Sequence, residues 1–429
     1  MTLSISAISL IIVFLVAMFI GIPVAWSLWL SCIVSVMLDP TLSLSTLPVR
    51  AFAYANNYAW LAVPCFFLAG DIMSRGGLSK RLVSFADSLV GWITGGISIV
   101  AIVASAFFAA ISGSSVATTA AIGSILYPEM VKRGYPEDYS AAIQAAGGTL
   151  GIVIPPSIVM VVYGNITGAS VSDLLMAGII PGILTAIFLS IYAYFKAKKE
   201  HYPKSERFSF TRFLTSFKDA IWALIMPIII LGGIYAGIFT PTESAAIAVA
   251  YGLLICLAVY RELTGKTLWE LLKGTAVSTA SLMFLVVAAQ TFGYLITYYN
   301  IASSAATYIT SIASSKYVYM AMVIVLLTFC GMFMDVGASN LVLSPILAPI
   351  AAMFDIDPVH FGLVVVFLLS MGQATPPFGT CMFVSCSISN RPVAGVAKQL
   401  IPLALTISAC GILWAYVPAF STFIPSLLK

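Results

Sequence analysis

Long apolar runs constrain this sequence more than any other feature. Segments of about 18 or more residues with almost no charge recur along its whole length, and each is long enough to cross a hydrocarbon core of about 30 Å. In lipid, only helices and closed barrels satisfy their own backbone groups, and these runs are too continuous to be barrel strands. Charged residues make up 8% of the chain, against roughly a quarter in a soluble domain. The sequence therefore predicts an all-α polytopic membrane protein.

Ten segments are predicted to cross the membrane. Their approximate bounds are 4–20, 23–38, 52–73, 137–166, 172–195, 219–238, 243–260, 274–298, 358–388 and 394–425. Two further apolar stretches, 97–130 and 317–353, are each interrupted by a small polar cluster, and their halves are marginal in length for a span. We therefore predict two re-entrant hairpins. Residues 78–94 and 300–314 are amphipathic and are predicted to lie along the membrane interface.

The positions of lysine and arginine predict the orientation of the chain. The densest basic group lies in 196–218, which the positive-inside rule places in the cytoplasm. Counting crossings outward from this loop puts both termini in the periplasm, provided that the first apolar run reverses near Gly21-Ile22-Pro23, where glycine and proline favour a turn. Three of the 20 basic residues then lie outside, namely Arg50, Lys316 and Lys429.

The two halves of the sequence repeat at a shift of 221 residues. Residues 151–156, which end in Pro155-Pro156, align with 372–377, and Ser114 aligns with Asp335. Five crossings in each half is an odd number, so the second copy must be inverted relative to the first. Inverted repeats are typical of secondary transporters, whose sites lie at mid-membrane on discontinuous helices.

This repeat predicts two structural units, 1–215 and 219–429. The first would contain scaffold helices in 4–73, an interfacial helix at 78–94, a hairpin at 97–130, a broken helix at 137–166, a helix at 172–195 and a cytoplasmic loop at 196–218. The second would contain scaffold helices in 219–298, an interfacial helix at 300–314, a hairpin at 317–353, a broken helix at 358–388 and a helix at 394–425.

Double prolines interrupt both predicted broken helices. Pro155-Pro156 and Pro376-Pro377 each remove two backbone donors and free carbonyl groups that cannot face lipid unsatisfied. A cation, water or protein could satisfy these carbonyls, and a structural kink healed by neighbouring hydroxyls is the alternative. Sodium suits such carbonyls together with serine and threonine hydroxyls. At the hairpin tips, the start of the second arm offers free N–H groups for an anion, although small residues there also favour close helix packing.

Asp335 is the only carboxylate in the two hairpin tips, and intramembrane carboxylates are candidates for function. It could bind sodium, substrate hydroxyl or amide groups, or a proton. Glu243 follows a predicted reversal and is interpreted as part of a helix N-cap, with Thr242 or Glu243 meeting free N–H groups. No Ser/His/Asp set, H-E-x-x-H or Walker motif is evident, so the sequence favours transport driven by an ion gradient over enzymatic activity.

Motifs spread along nearly the entire chain carry a family resemblance. They are Gly21-Ile22-Pro23-Val24-Ala25, Ser112-Gly113-Ser114 with 120–123, Pro155-Pro156-Ser157, Gly237-Ile238-Phe239-Thr240-Pro241-Thr242-Glu243, Phe333-Met334-Asp335, Pro345-Ile346-Leu347-Ala348-Pro349 and Thr375-Pro376-Pro377-Phe378-Gly379. They resemble the large membrane subunit (the M, or DctM-like, protein) of tripartite ATP-independent periplasmic (TRAP) transporters. The overall pattern is most similar to members that handle sialic acid.

The resemblance implies a sodium-driven importer of a small organic anion, such as sialic acid or a C4-dicarboxylate, in the bacterial inner membrane. The hairpin-bearing part would move as an elevator, and sodium ions would be needed but no organic cofactor. The implied partners are a small membrane subunit of about four helices, a periplasmic substrate-binding protein and the lipid bilayer, with no nucleic acid. A stand-alone dimeric symporter of the same architecture is the alternative. A channel is disfavoured because the polar residues gather at one depth.

The resemblance also assigns residues to sites. The implied sodium ligands are Ser112, Gly113, Ser114, Ser115, Gly148, Gly151, Asp335, Gly337, Ser339, Gly372 and Thr375. The implied substrate-binding residues are Ser114, Thr149, Ser157 and Asp335.

Overall fold

The computed structural model describes residues 4–203 and 207–427, and every regular element in these ranges is a helix. Seven of the described helices are long and apolar enough to cross a membrane. An eighth span results if the segments Tyr58–Arg75 and Leu78–Val90, which meet at 68°, are counted together. The prediction of an all-α protein with many apolar spans is confirmed.

The N-terminal part contains five α-helices. They are α1 (Ile5–Phe19), α2 (Val24–Met37), α3 (Thr46–Ala55), α4 (Ala62–Arg75) and α5 (Leu78–Val90). The first apolar run does reverse at Gly21, whose positive φ of 91° suits glycine, and α1 packs against α2. The single helix predicted at 52–73 is wrong, because Asn57 accepts a hydrogen bond from Ala59 N at 3.0 Å and starts a separate 3-10 turn between α3 and α4.

The next part contains two helices joined by a tight turn, followed by an interrupted helix. Its elements are α6 (Gly96–Ser112), α7 (Ser115–Lys132), α8 (Glu137–Gly148), α9 (Ile158–Thr167), α10 (Val171–Ala177) and α11 (Ile179–Lys199). Only Gly113 and Ser114 separate α6 from α7, and these helices pack together. α8 continues as a 3-10 turn, Thr149–Ile152, and then ends before the double proline.

The middle of the chain contains α12 (Phe210–Tyr235), α13 (Pro241–Leu254), α14 (Gly265–Tyr298) and α15 (Ile301–Ile312), with a π turn at Ile255–Val259 after α13. The predicted loop 196–218 is wrong at both ends, since α11 reaches Lys199 and α12 begins at Phe210. Lysines in the last turn of α11 face the negative end of the helix dipole, so they extend this helix.

Glu243 has the predicted capping role, but its partner differs from the expectation. Thr240, rather than Thr242, is the N-cap of α13, and its hydroxyl accepts from Glu243 N at 3.3 Å. The Glu243 carboxylate accepts from Thr240 N at 2.8 Å, which completes a capping box.

The C-terminal part contains six helices. They are α16 (Lys316–Phe333), α17 (Val336–Met353), α18 (Pro358–Gly372), α19 (Thr380–Ser389), α20 (Val393–Tyr416) and α21 (Ala419–Leu427). The single helix predicted at 394–425 is wrong, because Pro418 disfavours a helical conformation at the residue before it. Val417 is accordingly non-helical, with φ −121° and ψ 85°.

The sequence repeat is visible in the helix boundaries. α7 and α17 have 18 residues each, and α17 starts 221 positions after α7. The Pro155-Pro156 and Pro376-Pro377 peptide bonds are both cis. Packing between the copies is reciprocal, since α7 contacts α19 and α17 contacts α9. The second arm of each hairpin therefore packs on the other copy's broken helix, against the part that follows the double proline.

Candidate functional site

Ser114 and Asp335 occupy equivalent positions and have the same structural role. The Ser114 hydroxyl accepts from Ala117 N at 3.4 Å and caps the start of α7. Asp335 Oδ1 accepts from Gly337 N at 2.9 Å and from Ala338 N at 3.3 Å, and so caps α17. Both side chains satisfy backbone donors that a helix start leaves unpaired. The two tips thus share a capping role but differ in charge and in backbone path, since Gly113 is left-handed with φ 62°, whereas Met334 is extended with φ −117°.

The first hairpin tip and the first broken helix meet at glycines. A Cβ on Gly151 would lie 2.4 Å from the carbonyl oxygen of Ser114 and 2.7 Å from Cα of Ser115. A Cβ on Gly148 would lie 3.3 Å from the Ser115 carbonyl oxygen. The backbone of Gly113 accepts a hydrogen bond from Ile158 N at 3.4 Å. The structure therefore brings the predicted ligands of the first sodium site together.

Hydroxyl groups and carbonyls are concentrated at this contact. The Ser112 and Thr118 hydroxyl oxygens are 2.9 Å apart, and Thr118 also donates to the Ser114 carbonyl oxygen at 2.8 Å. Thr119 donates to the carbonyl oxygen of Ser115 at 2.9 Å. The Ser115 hydroxyl is buried and has no hydrogen-bond partner. A buried hydroxyl without a partner costs about 1–3 kcal/mol, so it indicates a place for a bound ligand, ion or water.

The second hairpin tip is only partly assembled around its predicted ligands. Ser339 is fully buried, and its hydroxyl also has no partner. A Cβ on Gly372 would lie 2.2 Å from the carbonyl carbon of Gly331, so the second broken helix touches α16 through this glycine. Asp335 is exposed, and its hydrogen bonds go to the first turn of α17. Thr375, which follows α18, donates back to the last turn of that helix, at 2.9 Å from the Met371 carbonyl oxygen.

The two broken helices meet at Thr149 and Ser370, which are related by the 221-residue shift. The Ser370 hydroxyl donates to the Thr149 carbonyl oxygen at 2.6 Å, and both residues are buried. The Thr149 hydroxyl itself donates to the Ala146 carbonyl oxygen at 2.7 Å. Sequence reasoning missed Ser370, although its alignment with Thr149 was a usable signal. Contact between residues at equivalent positions is what a two-fold relation between the copies produces.

Ser157 and Asn340 form hydrogen bonds beside the contact between the two broken helices. Ser157 is fully buried, and its hydroxyl accepts from Met160 N at 3.3 Å, which caps α9. Asn340 is also fully buried; it donates to the Val159 carbonyl oxygen at 3.1 Å and accepts from the Ser344 hydroxyl at 2.7 Å. Asn340 was not chosen from the sequence, although it belongs to the polar cluster at the second tip. It joins the second hairpin to the first broken helix.

A cavity of about 520 Å³ lies between α14 and α17, the second arm of the second hairpin. One wall comes from α3 and α14, and the other comes from α9, α17 and α18. Tyr163 in this lining is fully buried, and its hydroxyl has no partner. The guanidinium of Arg50 lies 4.1 Å from the ring centre of Tyr294, another lining residue. Arg50 is one of the few basic residues that the charge pattern places outside. That predicted position was the only feature of the sequence that pointed to this cavity.

Side chains that commonly bind transition metals are not clustered in the described ranges. No group of three or more His, Cys, Asp or Glu residues there could hold a metal ion. The oxygen atoms at the tips belong instead to serine and threonine hydroxyls, to backbone carbonyls and, at the second tip, to the carboxylate of Asp335. Hard cations are bound in proteins by oxygen ligands of these kinds.

Comparisons with known proteins agree over almost the full length of the chain. Residues 11–420 match the family model described as "Tripartite ATP-independent periplasmic transporter, DctM component". The chain is 39% identical over 402 residues to the C4-dicarboxylate TRAP transporter large permease protein DctM of Pseudomonas aeruginosa, covering 94% of each protein. It is 35% identical over 418 residues to the sialic acid TRAP transporter permease protein SiaT of Haemophilus influenzae, covering 97% of this chain and 68% of that protein.

A fused relative and a solved structure complete the comparison. The isethionate TRAP transporter permease protein DctMQ of Oleidesulfovibrio alaskensis is 38% identical over 405 residues, which cover 94% of this chain and 64% of that protein. The YdaH transporter of Alcanivorax borkumensis has the same overall fold, with a TM-score of 0.65 at 15% identity over 88% of this chain and 89% of that one. The chain therefore belongs to the DctM family of tripartite ATP-independent periplasmic transporters, and it is a transport permease of the inner membrane rather than an enzyme.

Proposed function

We propose that this chain is the large permease of a sodium-driven importer of small organic anions. The observation that carries the proposal is that each hairpin tip has a buried hydroxyl oxygen with no hydrogen-bond partner. Ser115 and Ser339 each lie in the first turns of a second hairpin arm, are fully or nearly fully buried, and have hydroxyls without a partner. A small cation at each tip would give these oxygens a partner.

The first sodium ion is proposed to bind where the first tip meets the first broken helix. Its ligands would come from residues 112–115 together with Gly148 and Gly151. The second ion is proposed to bind near Ser339, with Gly372 and Thr375 on the broken helix and Asp335 and Gly337 on the tip. Because Asp335 is exposed and its hydrogen bonds go to the first turn of α17, the second site needs the tip to approach the broken helix.

The substrate is proposed to be a small organic anion that lies between the tips, near Ser114, Thr149, Ser157 and Asp335. The relatives carry names that refer to C4-dicarboxylates, isethionate and sialic acid, all of which are anionic at neutral pH. The positive ends of the helix dipoles at the starts of α7 and α17 favour an anion there. N-acetylneuraminate and a C4-dicarboxylate are the two substrates to test first.

Movement of the hairpin-bearing part against the scaffold is proposed as the transport step. The cavity of about 520 Å³ has scaffold helices on one side and hairpin and broken helices on the other, so relative movement would open or close it. In this arrangement the hairpins are re-entrant, the copies are inverted, and α5 and α15 lie along the interface. Both termini are then periplasmic, and a small membrane subunit and a periplasmic binding protein complete the transporter.

Reconstitution tests the proposed function directly. In proteoliposomes, we expect anion uptake to require an inward sodium gradient, the small membrane subunit and the binding protein of the same transporter. The measurement is accumulation of radiolabelled N-acetylneuraminate and, separately, of a labelled C4-dicarboxylate. Full uptake by this chain alone would support the stand-alone symporter. Uptake that never exceeds equilibrium under a sodium gradient would support a channel.

Arg50 is expected to attract the anion at the outer cavity. We expect Arg50→Gln to raise the KM for uptake about fivefold with little change in maximal rate, because one charge beside the entrance changes encounter more than translocation. Lys316→Gln is the matched control, because Lys316 is predicted on the same side but stacks on Tyr317, which does not line this cavity, whereas Arg50 stacks on the lining residue Tyr294. Equal effects of the two substitutions, or none for Arg50→Gln, would remove Arg50 from the route.

A further inference from the structure

A second cavity, of about 420 Å³, lies far from the hairpin tips. It is formed by the end of α5, the end of α7 and the start of α12, with the chain around Arg207. Its walls are well packed: the Ser88 and Ser216 hydroxyls are 2.6 Å apart across α5 and α12, and the Phe85 ring centre lies 5.8 Å from that of Phe213. The cavity is thus part of a formed helix–helix contact. The proposed transport site does not use it.

Among the residues that the structure describes, three arginines and two carboxylates line this cavity, and their charges sum to a net positive value. Asp87 is paired with Arg212 and with Arg133, whose Nη1 lies 3.7 Å from Asp87 Oδ1. Arg133 Nε also donates to Glu129 at 2.8 Å. Arg207 is exposed at the same cavity. Because a guanidinium has five N–H donors, an arginine that pairs with a carboxylate can also bind phosphate oxygens.

The rim of the cavity is aromatic and exposed. Trp92 and Phe208 both line it, are 50% and 48% exposed, and have ring centres 6.2 Å apart. Phe210, just beyond it, is 67% exposed. Exposed aromatic side chains beside arginines are typical of the boundary between lipid and water. A soluble phosphate compound would gain nothing from this rim, whereas acyl chains would pack against it.

We infer that the arginine-lined cavity binds the phosphate headgroup of an anionic phospholipid. Arg133, Arg207 and Arg212 would contact the phosphate, and the acyl chains would extend past Trp92 and Phe208. Basic pockets between membrane helices on the cytoplasmic side are suited to such headgroups, and the positive-inside rule places this cavity on that side. Because Arg133 is the C-cap of α7 and Arg212 lies on α12, the lipid would bridge the first hairpin to the scaffold.

Lipid titration of the purified full-length protein tests this inference. Phosphatidylglycerol is added to protein in mixed micelles, and bound lipid is counted by native mass spectrometry. We expect phosphatidylglycerol to be retained in preference to phosphatidylcholine. Arg207→Gln is expected to weaken its apparent affinity about fivefold, as for the loss of one basic residue at an anionic membrane surface. Arg207 is chosen because its replacement leaves the pairs of Asp87 in place.

Arg261→Gln is the matched control, since Arg261 is exposed and is predicted on the same membrane side but does not line the cavity. It should retain phosphatidylglycerol like the unmodified protein. Gel filtration of each variant checks that it is folded. Equal retention of phosphatidylcholine, or equal loss in both variants, would overturn the inference. Displacement of the lipid by millimolar glycerol phosphate with equal affinity would show a site for soluble phosphates and would also overturn it.

Discussion

Asp335→Asn is expected to abolish sodium-dependent uptake while leaving the second hairpin folded. Asparagine caps a helix about as well as aspartate, so the hydrogen bonds from Gly337 N and Ala338 N should persist. Only the negative charge is lost, and with it the one carboxylate ligand of the proposed second sodium site. We expect uptake in proteoliposomes to fall below about a tenth of normal, since a loss of 1.4 kcal/mol in ion binding is already tenfold.

Asp357 supplies a closely matched control for this experiment. It caps α18 in the same way, and its Oδ1 accepts from Val359 N at 2.9 Å and from His360 N at 2.8 Å. Asp357→Asn should therefore transport normally. Asp335→Ala removes both cap and charge, so a stability loss of about 1 kcal/mol should be seen in this variant but not in Asp335→Asn. Normal uptake by Asp335→Asn would limit Asp335 to capping and would remove it from the sodium site.

Gly151→Ala and Gly372→Ala are each expected to reduce uptake at least tenfold. The added Cβ would lie 2.4 Å from the Ser114 carbonyl oxygen in the first variant and 2.2 Å from the Gly331 carbonyl carbon in the second. These neighbours are backbone atoms, so they cannot rotate away as a side chain can. Overpacking of this kind costs about 1–3 kcal/mol, and here it would displace a hairpin from its broken helix. Uptake and thermal unfolding are measured on the same preparations.

Gly274→Ala is the control for the glycine variants. Gly274 lies inside α14, where a Cβ would meet no atom within 4 Å. Alanine favours a helix over glycine by about 1 kcal/mol, so this variant should be at least as stable as the unmodified protein and should transport normally. Full activity of Gly151→Ala and Gly372→Ala would show that hairpin and broken helix do not need this close contact. It would contradict the proposed ion sites, which depend on it.

The sequence by itself determined the class of the protein and the positions of its helix breaks. Lipid leaves a polypeptide few ways to satisfy its backbone, so the long apolar runs were sufficient to predict helices. Pro155-Pro156 and Pro376-Pro377 interrupt helices through local chemistry, because proline has no N–H to donate, and the structure has breaks at both places. The reversal at Gly21 and the capping role of Glu243 are local in the same sense.

Boundaries that depend on weaker local signals were predicted less well. The turn at Asn57 and the extended residue before Pro418 split segments that look continuously apolar. The loop 196–218 was predicted too long because its lysines resemble a solvated segment, although three of them belong to the last turn of α11. Hydrophobicity alone cannot separate a helix end from the loop after it, since both carry polar residues at the membrane surface.

Only the tertiary structure decided which groups meet. The contact between Ser370 and Thr149, the burial of Ser115 and Ser339 without partners, and the exposure of Asp335 all depend on how segments that are separate in the sequence pack together. The two cavities arise in the same way, from walls contributed by several helices. Helix formation and interruption follow from interactions over a few residues, whereas a site between helices depends on their packing angles and distances, which no short stretch of sequence encodes.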